Sequence, residues 1–204
     1  MLALAVAASA GAKNVPGTTY VDKAKGYAIT IPKTWQLIPR TQADVKALIA
    51  KLEKKKSTVA LANFYSTILA SPAGRTGIKS YRFQAFDWPG SLTSPVPVQV
   101  SLGITNARKA YTARDLPSIG AVFANAFASN KGAKVTVPKT VMLPAGKAEL
   151  VKAAIPVGGG VTNGAMLYLI PHGKKLYELS FQIEASQLAS ASLFTSIAQH
   201  FKFV

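Results

Sequence analysis

The sequence predicts an α+β fold, with a central antiparallel sheet of about six to seven strands and helices packed on its faces. Two observations carry this. After Lys134 the chain reads as strand segments at hairpin spacing: Lys134–Met142, Lys147–Pro156, Ala165–Ile170 and Lys175–Glu184. Pro144-Ala145-Gly146, Gly158-Gly159-Gly160 and His172-Gly173-Lys174 separate them as turns. Strands joined by such short turns run antiparallel, because a parallel crossover needs about a dozen residues or more. Elsewhere two segments place apolar residues at helical spacing, Val45, Leu48, Ile49 and Leu52, then Leu116, Ile119, Val122, Phe123, Ala126 and Phe127.

Taken in order, Gly11–Thr19 reads as a lead-in without periodicity. Tyr20–Ala24 and Tyr27–Ile31 are short strands around Lys25-Gly26, and Pro32 stops the second. Trp35 lies in a turn-like stretch. Thr41 opens a helix, capping its first free N–H groups, with Asp44 favourable to the dipole. Val59–Leu69 is apolar and fits helix or strand; Ser71–Gly77 reads as loop. Ser80–Phe86 and Val96–Ile104 alternate as strands, both expected in the central sheet together with Tyr27–Ile31. Asp115 starts the second helix, which Asn130-Lys131-Gly132 ends. A last helix spans about Leu188–His200, with Leu193, Ile197 and Phe201 inward.

The chain has 204 residues, of which 49% are hydrophobic and 16% charged, enough for one domain with an ordinary core. No cysteine is present, which excludes disulfides, a thiolate nucleophile and a Cys-based zinc site. The first residues, MLALAVAASAGA, read as the apolar core of a signal peptide followed by an A-x-A-like cleavage site, without its basic start. The expectation is a leader remnant with a flexible segment over residues 1–19, one domain over 20–204, and an exported protein: periplasmic, cell-envelope or secreted. No stretch approaches the about 20 uninterrupted apolar residues of a membrane-spanning helix.

Net charge is +16, from 24 basic and 8 acidic residues. Such a balance favours anionic partners: an envelope polymer, an acidic membrane surface or nucleic acid. Lysine outnumbers arginine, there is no zinc-finger spacing and no aromatic RNA-binding strand, so specific nucleic-acid readout is not expected. Along the sequence the charge concentrates only at Lys51, Lys54, Lys55 and Lys56, a candidate anion-facing patch at a helix end.

Tyr27–Trp35, YAITIPKTW, and the closing KKLYELSFQIEA with QHFKFV resemble the opening and ending of the PsbP-like fold, over roughly Tyr20–Val204. His200 stands where that group often has Ser. The resemblance implies a PsbP-like α/β/α sandwich. The group is functionally mixed: photosystem II extrinsic subunits, the Ran-binding nuclear transport factor Mog, and exported bacterial lipoproteins of the LpqN and DcrB types. The leader places this chain nearest in style to the last. The resemblance carries no catalytic residue over, and fold alone does not fix function.

Residues that could carry chemistry are sparse. The two histidines, His172 and His200, fall in a turn and at a helix end, so no metal site is expected. Glu178 and Glu184 share a strand but stand about 20 Å apart, too far for a glycosidase pair. There is no G-x-S-x-G elbow, and no Gly-Lys-Ser/Thr follows the Gly158–Gly160 run, so neither an esterase nucleophile nor a phosphate loop is present. The expectation is a protein that is not an enzyme, has no cofactor, and binds another protein or a small amphipathic ligand. Trp35, Tyr81, Phe83, Phe86 and Trp88 are the candidate lining of a binding groove. The alternative is electrostatic binding of an anionic polymer or surface through lysines.

Overall fold

A computed structural model of the chain describes residues 17–92 and 94–204. The leader-like run Leu2–Ala8 lies outside the described residues. In chain order the elements are β1 (Gly17–Asp22), β2 (Tyr27–Pro32), β3 (Gln36–Leu37), α1 (Gln42–Leu52), α2 (Val59–Ala70), α3 (Pro72–Ser80), β4 (Phe83–Phe86) and β5 (Gln99–Asn106). They continue with α4 (Leu116–Ala128), β6 (Lys134–Val135), β7 (Lys139–Leu143), β8 (Gly146–Gly158), β9 (Val161–His172), β10 (Lys175–Glu184), α5 (Ser192–Gln199) and β11 (Lys202–Phe203).

An eight-stranded antiparallel sheet runs β3-β4-β5-β10-β9-β8-β6, with β7 also on β8. The long hairpins β8–β9 and β9–β10 form its centre. Their turns hold Gly158, Gly159, Gly160 and Gly173 at positive φ, a region costly for residues with a Cβ. The expected strand Lys134–Met142 is two pieces, β6 and β7, and Pro138 lies between them with no N–H to give a ladder.

Strand alternation sends side chains to two covered faces. Phe83, Val100, Leu102, Tyr168, Ile170, Leu179 and Phe181 face one side, where they meet Tyr27, Ile29 and Ile31 of β2, and Phe194, Ile197 and Phe201 at the α5–β11 end. On the other side α4 lays Ile119, Phe123 and Phe127 against Val151, Leu167 and Leu169. Beside it α1, α2 and α3 enclose Phe86 with Val45, Leu61, Tyr65 and Ile78.

Two placements differ from expectation. Tyr27–Ile31 is not in the central sheet. β2 is the middle of a separate three-stranded sheet, β1-β2-β11, laid across the large one. Its alternation specifies one apolar face but not which sheet takes it. β1 begins at Gly17, which pairs with Pro32, so the strand starts before Tyr20. Ser71–Gly77, expected as loop, belongs to α3. Ser71 Oγ accepts from Gly74 N at 3.0 Å, and Pro72 occupies the first turn, where its missing N–H costs nothing. Gly74 and Gly77 masked that start signal in the sequence. Thr41 caps α1 as expected, accepting from Asp44 N at 3.0 Å.

Four phenols are sunk in this core. Tyr65 donates to Leu37 O at 2.6 Å, Tyr177 to Lys25 O at 2.8 Å and Tyr27 to Arg82 O at 3.3 Å; Tyr168 lies 3.4 Å from Thr195 Oγ1. Burial pushes all four above the ordinary tyrosine value of about 10. A phenol whose folded pKa is raised contributes stability that is full below the unfolded value and is lost as pH rises past it. Stability should therefore fall from about pH 10 upward. Part of the tyrosinate absorbance is expected to appear only together with loss of the far-ultraviolet circular dichroism. Reversible ionisation of every tyrosine with native dichroism would contradict this.

Candidate functional site

The aromatic residues first considered for a groove are dispersed by the fold. Trp35 and Phe83 are buried in the core under the small sheet. Phe86 is an odd number of residues from Phe83 on β4, so it faces the opposite side, fully buried among the helices. Trp88 is half-buried there, its ring 5.9 Å from Phe64 and 6.3 Å from Phe86. Tyr81 is half-buried and caps α3. Trp35 and Phe83 thus pack one core cluster, Phe86 and Trp88 another.

Lys51 lies in the last turn of α1, and Lys54, Lys55 and Lys56 follow its end, all exposed. Lys55 has φ −124°, extended, so it is no longer one helical turn above Lys51. Thr58 Oγ1 closes the segment by donating to Leu52 O and Lys55 O. Exposed charges contribute little to folding, so Lys54→Gln/Lys55→Gln/Lys56→Gln should stay within about 0.5 kcal/mol of the parent in urea unfolding. A larger loss would show that the lysines support the α1–α2 turn.

A second basic cluster is made by the fold. At one end of the large sheet the β9–β10 hairpin carries Lys174 and Lys175. The loop after β5 runs beside it: Ala107 N donates to Lys174 O at 2.8 Å and Tyr111 N to Gly173 O at 2.9 Å. This brings Arg108 and Lys109. On the other side the β1–β2 turn supplies Lys23 and Lys25, fixed where Tyr177 Oη donates to Lys25 O. Lys175 Nζ reaches the same carbonyl at 3.5 Å, and Val204 N donates to Gly26 O at 3.2 Å. Residues far apart in sequence thus share one end, so sequence spacing held no signal for it.

Little negative charge answers these cations. Asp44 accepts from Thr41, Glu149 from Thr140, Glu178 from Thr105 and Glu184 from Ser186. Thr112 donates its hydroxyl and N–H to Asp115 Oδ2, at 2.7 and 2.6 Å, and these bonds hold that carboxyl below the usual range. Among the described residues only Arg40 meets a carboxylate at ion-pair distance, Asp22 at 3.5 Å.

Groups for catalysis or metal binding are not gathered. His172 stacks on Phe203 at 3.9 Å, and His200 Nδ1 donates to Ser196 O at 2.8 Å. No three His, Asp or Glu side chains among the described residues converge on a metal position. An open groove of about 470 Å³ lies at the opposite end of β9–β10, between Lys134, Pro156, Thr162 and Glu184. No described helix is long and apolar enough to cross a membrane.

No family model and no curated protein matches the chain. Solved structures do. The solution structure of cyanobacterial PsbP (CyanoP) from Synechocystis sp. PCC 6803 matches 98% of this chain and 99% of its own, with TM-score 0.55 and 14% identity. The chain has a PsbP-like fold. A crystal structure from Bacteroides thetaiotaomicron VPI-5482 matches 92% of the chain with TM-score 0.51 and 10% identity, over 48% of its own length. LpqN, involved in cell envelope biogenesis of Mycobacterium tuberculosis, matches 93% of this chain and 86% of its own at TM-score 0.48 and 10% identity. At 14% identity the fold is what is shared with CyanoP, and function has to come from this chain's own surface.

Proposed function

We propose that this PsbP-like protein is a non-catalytic accessory protein of an exported compartment that holds an anionic partner by charge. One observation carries the reading: the sequence has a net charge of +16, and among the described residues only Arg40 meets a carboxylate at ion-pair distance, that of Asp22. A surface of that kind steers and holds anionic partners. Binding of an amphipathic small ligand has less support, since Trp35, Phe83 and Phe86 are buried in the core.

Acetylation of exposed lysines removes their charge without touching the core. The acetylated protein should keep its circular dichroism and lose retention on native envelope material. Full retention after acetylation would contradict the charge-held reading. Export rests on the leader-like start, Leu2–Ala8 followed by Ala10-Gly11-Ala12. The native protein is expected to begin beyond that segment, and an intact Met1 in a cytosolic fraction would contradict export.

A further inference from the structure

We infer that the end of the large sheet carrying Lys23, Lys25, Arg108, Lys109, Lys174 and Lys175 is a docking face for an anionic lipid surface. This rests on the reading that charge holds the partner. The face is rigid in its frame. The β1–β2 turn, the loop after β5 and the β9–β10 hairpin are joined by Ala107 N to Lys174 O, Tyr111 N to Gly173 O and Tyr177 Oη to Lys25 O. Lys23, Arg108, Lys109 and Lys174 are exposed, and Lys25 and Lys175 are half-buried behind them.

The negative groups at this end are largely answered. Asp22 takes the Lys25 N–H at 3.0 Å and pairs with Arg40. Glu178, further down β10, is held by Thr105.

The form of the face selects the partner. The charges sit on turn tips and a loop, and the open groove lies at the far end of β9–β10 beside Glu184. His172 and Phe203 stack on each other, which takes up one face of each ring. Lysine predominates, and its ammonium is a point charge on a flexible stem, suited to a plane of mobile anionic headgroups rather than to bidentate phosphate reading. Val21, 47% exposed, and Val204, 58% exposed, stand at this end with apolar surface that a headgroup layer would cover.

The test measures binding of the whole protein to phosphatidylcholine vesicles with and without phosphatidylglycerol. The parent should bind only the mixed vesicles. The variant Lys23→Gln/Arg108→Gln/Lys109→Gln/Lys174→Gln should bind them at least about a hundredfold more weakly, with unchanged thermal unfolding. Removing equal charge as Lys51→Gln/Lys54→Gln/Lys55→Gln/Lys56→Gln should cost less than about tenfold. Equal losses in the two variants, or the larger loss in the second, would overturn the assignment of the face. So would tighter binding to a short oligonucleotide than to the mixed vesicles. A protein that ignores phosphatidylglycerol yet loses envelope retention on acetylation overturns the lipid partner alone. Retention untouched by acetylation overturns the charge-held reading itself.

Discussion

Phe201→Ala is expected to destabilise the protein by about 3–5 kcal/mol, the cost of emptying a fully buried aromatic site. Phe201 has no exposed surface. Its ring lies 6.1 Å from Tyr27, 5.9 Å from Tyr177 and 5.5 Å from Phe203. These rings belong to β2, β10 and β11, so Phe201 packs the small sheet onto the large one. Truncation leaves a cavity among groups fixed by ladders on both sides, and the site cannot collapse cheaply. Phe201→Leu keeps most of the volume and should cost less than half as much. Urea unfolding midpoints measure both. Val122→Ala is the reference, since Val122 is 66% exposed on α4 and should change little. A Phe201→Ala loss no larger than that of Val122→Ala would mean that the two sheets are not joined through this residue.

Gly120→Ala should destabilise by about 1–3 kcal/mol, although alanine is the better helix former. Gly120 is buried in α4, where a Cβ would stand 2.5 Å from Glu149 Cγ and 3.0 Å from Pro138 Cβ. Glu149 is itself buried, with Thr140 Oγ1 donating to its carboxylate at 2.8 Å. The added methyl must lift α4 from β8 or push Glu149 off that bond, and a buried carboxylate that loses its donor is costly. In a Glu149→Ala background the nearest obstacle is gone and Pro138 Cβ at 3.0 Å is left, so Gly120→Ala should cost clearly less than it does in the parent. Additive losses in this double-mutant cycle would show that close approach to Glu149 is not why glycine stands there.

The elements that the sequence disclosed are those with local rules. The Thr41 cap, the α1 stripe, the inward Leu116, Ile119, Phe123 and Phe127 of α4, and the Gly158–Gly160 and Gly173 turns are set by residues close together in the chain. So are the long hairpins they produce, and with them the PsbP-like fold. Val122 and Ala126, expected in the same α4 stripe, are exposed. What stayed hidden depends on long-range pairing. Tyr27, Ile29 and Ile31 show an apolar face, but β11, at the far end of the chain, decides which sheet β2 joins. Phe83 and Phe86 look like neighbours in sequence, yet strand geometry puts them in different clusters. The basic end was illegible for the same reason. Lys23, Arg108 and Lys174 are far apart in sequence, and the bonds from Ala107 N to Lys174 O, Tyr111 N to Gly173 O, Tyr177 Oη to Lys25 O and Val204 N to Gly26 O assemble them.

If a positive surface holds the partner, the affinity of the whole protein for isolated native envelope must depend on ionic strength. Exposed charges are screened beyond a Debye length of about 10 Å at 0.1 M salt, and that length shortens as salt rises. Affinity should fall steeply and continuously with added sodium chloride, with folding unchanged throughout. An affinity that holds constant, or strengthens as apolar contacts do in strongly salting-out ions, would contradict it.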